Sequence, residues 1–118
     1  MKTIFIVDDS DTNLAKAEEA LEDHFRIITL PSASKMFDML AKITPDLILL
    51  DIEMPVMNGF EALERLKADS SKANIPVFFL TGTVDADIEE RSTALGAVGV
   101  IAKPFTQQTI LDRINSKI

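Results

Sequence analysis

Asp8, Asp9 and Asp51, together with Thr81 and Lys103, are the residues of this chain whose types and placing suit chemistry. Each follows a short apolar run. Ile4-Phe5-Ile6-Val7 precedes Asp8 and Asp9, and Leu47-Ile48-Leu49-Leu50 precedes Asp51. Val77-Phe78-Phe79-Leu80 precedes Thr81, and Val98 to Ala102 precedes Lys103. Three carboxylates brought into one partly buried volume repel one another and need protons or a cation. Hard oxygen ligands in an open cluster suit Mg²⁺, which keeps several waters and takes few protein carboxylates. The flanks of Asp51 are dry, and a carboxylate can attack a phosphoryl group to form an acyl phosphate. That chemistry is mostly positioning and charge neutralisation. A divalent ion on Asp9 and Asp51 would bridge phosphoryl oxygens. Lys103 would neutralise another oxygen from the opposite side, and Thr81 would donate its hydroxyl to a third. Taken singly, each residue has a plainer reading: turn or cap aspartates, a solvated lysine before Pro104, a strand-end hydroxyl in a local turn. Their joint occurrence at the ends of four apolar runs favours a site.

Such a site needs elements that bring distant residues together. The apolar runs read as strands, rich in β-branched and aromatic residues. A further run from Phe25 to Leu30, stopped by Pro31, reads as the second of five. Between the strands, apolar residues recur at helical spacing. Leu14, Ala17, Leu21 and Phe25 recur at the spacing of a first helix, capped by Asp11 or Thr12. Met36, Phe37, Leu40 and Ile43 mark a second, capped by Ser32 and ended by Pro45. Asn58-Gly59 signals a turn, and Phe60, Leu63 and Leu66 share one face of a third helix. Asp85 caps a weak fourth helix through Ile88, Thr93 and Leu95, with Gly96 near its end. Thr106 caps a fifth, with Ile110, Leu111, Ile114 and Ile118 inside. Five strand-then-helix repeats with uniformly apolar central strands predict a parallel sheet covered on both faces, with right-handed crossovers. The expected fold is a doubly wound, three-layer α/β domain spanning residues 1–118. Ligands of such sheets bind at the carboxyl ends of the strands, where Asp8, Asp9, Asp51, Thr81 and Lys103 all fall.

Composition narrows the function classes. The chain has no Cys, so thiolate metal sites, cysteine nucleophiles and disulfides are excluded. Its net charge of −7 opposes binding to nucleic acid or to anionic membrane. No apolar run approaches spanning length, and the first is stopped at once by Asp8 and Asp9. A cytoplasmic location is expected.

The ordered motifs resemble the receiver domain of bacterial two-component response regulators. They are Ile6-Val7-Asp8-Asp9, then Leu50-Asp51-Ile52-Glu53-Met54-Pro55-Val56-Met57-Asn58-Gly59, then Leu80-Thr81-Gly82, then Lys103-Pro104-Phe105. The resemblance covers essentially the whole chain, Lys2 to Ile118. It implies a flavodoxin-like five-stranded parallel sheet in the order 2-1-3-4-5, with helices on both faces. It implies Asp51 as phospho-acceptor, and Mg²⁺ held directly by Asp9, Asp51 and the backbone carbonyl of Glu53. Asp8 would act through water. Thr81 and Lys103 would contact phosphoryl oxygens, and the Lys103–Pro104 peptide would be cis. Gly59 would serve the turn into the third helix, and Gly82 would leave the site accessible. Glu53 and Thr83 would flank the site and steer water during dephosphorylation.

The implied function is a switch that catalyses only its own phosphorylation and dephosphorylation, not an enzyme acting on a separate substrate. Its donor would be a sensor histidine kinase or phosphotransfer protein. Its output would go to a downstream protein target or to an effector domain outside this chain, through the fourth helix, fifth strand and fifth helix. A monomer or weak dimer is expected. One departure stands out. The family often carries Tyr or Phe where this chain has Val100, and a valine has no ring to swing between buried and exposed positions. Output would then depend on the loop and acidic helix from Thr83 to Leu95. Asp9-Ser10-Asp11 also resembles the start of haloacid-dehalogenase-type hydrolases, but Asn13 stands where those need Thr or Val. A receiver-like interaction module that never takes phosphate is disfavoured, because every acidic, Thr and Lys position is filled. A flavin site lacks its Ser-, Thr- and Gly-rich phosphate loop. His24, the single histidine, reads as a surface turn residue.

Overall fold

The computed structural model describes residues 1–118. Five strands and five helices alternate: β1 Thr3–Val7, α1 Asp11–Leu21, β2 Arg26–Leu30, α2 Ala33–Leu40, β3 Leu47–Asp51, α3 Gly59–Ala68, β4 Val77–Thr81, α4 Ala86–Leu95, β5 Gly99–Ala102 and α5 Gln107–Asn115. The strands form one parallel sheet in the order β2-β1-β3-β4-β5. Successive side chains of a strand point to opposite faces, and this divides the core. Ile4 and Ile6 of β1 pack with Leu14, Leu21, Ile110 and Ile114, which places α1 and α5 on one face. Phe5 and Val7 pack with Met36, Leu40 and Leu63, and Ile88 joins from the side, which places α2, α3 and α4 on the other. All five residues of each of β1, β3 and β4 are buried, as a sheet covered on both faces requires. Each fully buried Leu or Ile of these strands contributes about 1.5–3 kcal/mol.

Local chemistry starts the helices. Ser32, Asp85 and Thr106 cap α2, α4 and α5 through side-chain oxygens that accept from backbone N–H groups three residues on. Asn58 does more than turn the chain. It forms a reciprocal box with Glu61 at the start of α3. The cap of α1 is Ser10, which accepts from the Asn13 N–H, and not Asp11 or Thr12. Asp11 and Thr12 already lie inside that helix. The second helix ends at Leu40, earlier than Pro45 suggests. Its last turn tightens through the Lys42 N–H to the Met39 carbonyl, and Ile43 packs on the core from beyond the helix. In α4 the buried residue is Ser92, whose hydroxyl donates to the Ile88 carbonyl at 2.6 Å, while Thr93 is exposed. Gly96 closes that helix in the left-handed conformation, at φ 93°. No helix is long and apolar enough to cross a membrane.

Candidate functional site

The sheet order reverses between β1 and β3, so the carboxyl ends of these two neighbours open a crevice. Their register pairs Val7 with Leu50, which brings Asp8 and Asp9 beside Asp51. The next pairings set Asp51 opposite Leu80 and Thr81 opposite Ala102. Lys103 follows at once, its N–H donating to the Thr81 carbonyl at 2.8 Å. Four adjacent strands thus present their polar ends at one edge.

The three aspartates converge. Carboxylate oxygens of Asp8, Asp9 and Asp51 all lie within 4.8 Å of one another. Asp8 and Asp51 are buried at 1% and 2% exposure, whereas Asp9 faces solvent. The Lys103 ammonium enters this cluster. It donates to Asp51 Oδ1 at 2.9 Å and to Asp8 Oδ2 at 3.4 Å. Asp8 Oδ1 accepts the Ser10 N–H at 2.9 Å, which ties the carboxylate to the start of α1.

Burial pushes the Asp51 carboxyl above the usual carboxylate range. The charges of Asp8 and Asp9 push the same way, against the Lys103 hydrogen bond and charge. Burial pulls the Lys103 ammonium down, but its bonds and charges with Asp51 and Asp8 outweigh that, and its net displacement is upward. The site therefore holds more negative charge than one lysine offsets. An open, oxygen-only set of three clustered carboxylates, one of them facing water, fits a small hard cation of the Mg²⁺ kind. Glu53 is exposed and its carboxylate stands outside the cluster.

Thr81 is buried at the end of β4, but its hydroxyl is turned to its own loop. It donates to the Thr83 carbonyl at 3.2 Å and accepts the Thr83 N–H at 3.1 Å. The strand-end local turn is thus the arrangement formed here. A Cβ on Gly82 would meet nothing within 4 Å, so the mouth above Thr81 is open. The Lys103–Pro104 peptide is cis. Gly59 opens α3 directly after the Asn58 cap, at the expected turn into that helix. A Cβ there would lie 2.4 Å from the Asp51 carbonyl oxygen and 2.8 Å from Ile52 Cα. It is glycine because the first turn of α3 presses on the end of β3, a contact also made by the Gly59 N–H to the Ile52 carbonyl at 2.8 Å. Asp11 opens α1 outside the acidic cluster, and His24 is an exposed turn residue.

Two features near the site escaped sequence reasoning. Val56, in the loop after β3, has φ 69°, the one non-glycine residue with positive φ. A β-branched residue gives no sequence signal for that conformation. The Arg91 guanidinium of α4 lies 4.1 Å from the centroid of the Phe60 ring of α3. Phe60 in turn meets Phe79 of β4 edge-on at 5.1 Å.

The parallel order, the acidic crevice and the lysine that closes it define a doubly wound receiver-type module. Residues 4–115 match the family model described as the response regulator receiver domain, and the chain belongs to that family. It is 33% identical to Protein PilH of Pseudomonas aeruginosa, over 98% of this chain and 97% of PilH. It is 36% identical, over 98% of its length, to a Vibrio cholerae protein named "Probable cyclic di-GMP phosphodiesterase". The chain spans only 26% of that larger relative. The crystal structure of Vibrio cholerae chemotaxis protein CheY4 superposes with a TM-score of 0.95 at 27% identity, covering 100% of this chain and 99% of the other. The fold is that of a receiver, a signalling switch domain.

Proposed function

We propose that this chain is a phospho-accepting switch of a two-component system, with Asp51 as the acceptor. The observation that carries the reading is the Asp51 carboxylate itself. It is buried at the meeting point of three aspartates and held by Lys103 at 2.9 Å. The donor is a phosphohistidine on a sensor kinase or phosphotransfer protein. An Asp51 oxygen forms a bond to phosphorus as the phosphorus–nitrogen bond breaks. The electron pair returns to the donor imidazole, which takes up a proton. Transfer of this kind relies on placement and charge neutralisation.

Asp9, Asp51 and the Glu53 carbonyl would hold Mg²⁺, with Asp8 acting through water. When bound, the ion neutralises charge on the phosphoryl oxygens. Lys103 is already at hydrogen-bond distance from Asp51 and needs only to exchange a carboxylate oxygen for a phosphoryl oxygen. Thr81 has further to go. Its hydroxyl must give up the Thr83 carbonyl to donate to the new dianion, and that exchange releases the loop before α4. α4 is the helix suited to answer, since Ser92 is its one buried residue. The α4, β5 and α5 face then carries the signal to a protein target or to an effector domain outside this chain. The span 1–118 acts as one unit, in the cytoplasm, as a monomer or weak dimer, and its catalysis is confined to its own phosphoryl group.

Incubation with acetyl phosphate and MgCl₂ tests the reading. The native chain takes up one phosphoryl group, and Asp51→Asn takes up none. Equal uptake by both removes Asp51 as the acceptor.

A further inference from the structure

Of the five helices, α4 buries the fewest side chains. Ser92 is its one buried residue, and Ile88 and Leu95 are only partly buried against the core. Its two sides differ. Toward α3, the Arg91 guanidinium lies 4.1 Å from the centroid of the Phe60 ring. Toward β5, a cleft of about 170 Å³ lies among Glu89, Ser92 and Thr93 of α4, Gly99 and Val100 of β5 and Arg113 of α5. The helix is pinned on one side and underpacked on the other.

The pin is a ring and not a carboxylate. Asp87 stands four residues before Arg91, at the spacing of a helical ion pair. Arg91 nevertheless makes no ion pair; those of the structure join Lys72 to Asp69 and Lys103 to Asp8 and Asp51. Phe60 is a fixed platform. It is 5% exposed and meets Phe79 edge-on at 5.1 Å. Its neighbour Gly59 is pressed against the Asp51 carbonyl and donates its N–H to Ile52. Motion of α4 therefore carries the arginine away and leaves the ring in place. A cation is held by a ring face only within about 6 Å of its centroid, so a small displacement undoes the stack.

We infer that Arg91 on Phe60 is a latch that holds α4 in the resting position of the unphosphorylated chain, and that it thereby lowers the affinity of the site for a phosphoryl group. The inference rests on Asp51 being the acceptor and adds what sets its resting state. When Thr81 turns from the Thr83 carbonyl to the new dianion, the loop that enters α4 moves with it. The cleft on the β5 side gives the helix room, and Val100 has no ring to fill it. Arg91 then leaves Phe60. Because the stack belongs to one state only, phosphorylation works against it, and by reciprocity the stack works against phosphorylation. An exposed pair of this kind supports a bias of about two- to fivefold.

The test uses fluoroberyllate with MgCl₂ as the phosphoryl mimic, and fluorine NMR reads the bound ion. Arg91→Gln keeps the length of the side chain and removes the cation, whereas Arg91→Lys keeps a cation. The expected result is that Arg91→Gln binds the mimic about two- to fivefold more tightly than the native chain, with Arg91→Lys between the two. Unchanged affinity in Arg91→Gln overturns the inference, since a merely structural stack lowers stability alike with and without the ion. Weaker binding also overturns it, because the stack would then belong to the phosphorylated form. Failure of the native chain to bind fluoroberyllate is a different result, and it removes the phospho-acceptor reading instead.

Discussion

Lys103 and Asp51 stand 52 residues apart in sequence, and their side chains meet at 2.9 Å across the carboxyl edge of the sheet. The lysine also reaches Asp8 at 3.4 Å, so one ammonium serves two buried carboxylates. Lys103→Met leaves both without that partner. We expect the metal-free protein to lose about 1–3 kcal/mol at neutral pH, measured by urea unfolding. Lys103→Arg is expected to lose less.

The same pair sets a pH dependence. The Asp51 carboxyl titrates higher in the folded chain than in the unfolded one, chiefly because it is buried. Between the unfolded and folded values the native state binds more protons, so stability rises as pH falls through this window and is penalised above it. Asp51→Asn removes the penalty. We expect it to stabilise the metal-free protein at neutral pH, with little effect once pH falls below the unfolded value. A stabilisation that is the same at every pH would contradict the assignment.

Clustered carboxylates that repel in the metal-free chain should be relieved by a cation. At free Mg²⁺ about a hundredfold above its dissociation constant, the native chain gains roughly 2.7 kcal/mol. Differential scanning calorimetry reads this as a higher Tm. Asp9→Asn and Asp51→Asn are each expected to remove most of the gain, and EDTA to reverse it in the native chain. A gain retained in both variants would place the ion elsewhere.

Much of the fold is legible in the sequence because its signals are local. Apolar runs give the strands, and Ser32, Asp85 and Thr106 stand where the helix starts need a side-chain acceptor. At α1 three successive residues, Ser10, Asp11 and Thr12, all suit a cap, and only the extended backbone of Ser10 decides among them. The convergence of Asp8, Asp9 and Asp51 follows once β1 and β3 are neighbours. The strand order came from resemblance to a family rather than from periodicity. What was illegible is tertiary. Gly59 answers to the Asp51 carbonyl, and Arg91 finds the ring of Phe60. Val56 runs against residue preference altogether.

Gly59 gives a sharp steric prediction. Ala at this position would drive its Cβ to 2.4 Å from the backbone oxygen of the acceptor aspartate, a contact that a rigid strand end cannot yield cheaply. Gly59→Ala should cost about 1–3 kcal/mol and slow acetyl phosphate labelling by displacing Asp51. Native stability and native labelling together would contradict the close approach.

Arg91 on Phe60 joins α4 to α3 with little apolar burial to help it. Arg91→Ala should cost about 0.5–1 kcal/mol and speed amide exchange in α4 more than in α3. A cycle with Phe60→Leu isolates the pair. Additive losses would show that the stacking contributes nothing of its own.

The central claim is that one particular carboxylate, among three whose oxygens lie within 4.8 Å of one another, takes the phosphoryl group. Borohydride reduction of the acyl phosphate, followed by peptide mass spectrometry, reports which aspartate was modified. After acetyl phosphate and Mg²⁺ treatment of the native chain, the reduced residue should lie at position 51 alone. Modification at position 8 or 9, or none at any of the three, would contradict the account.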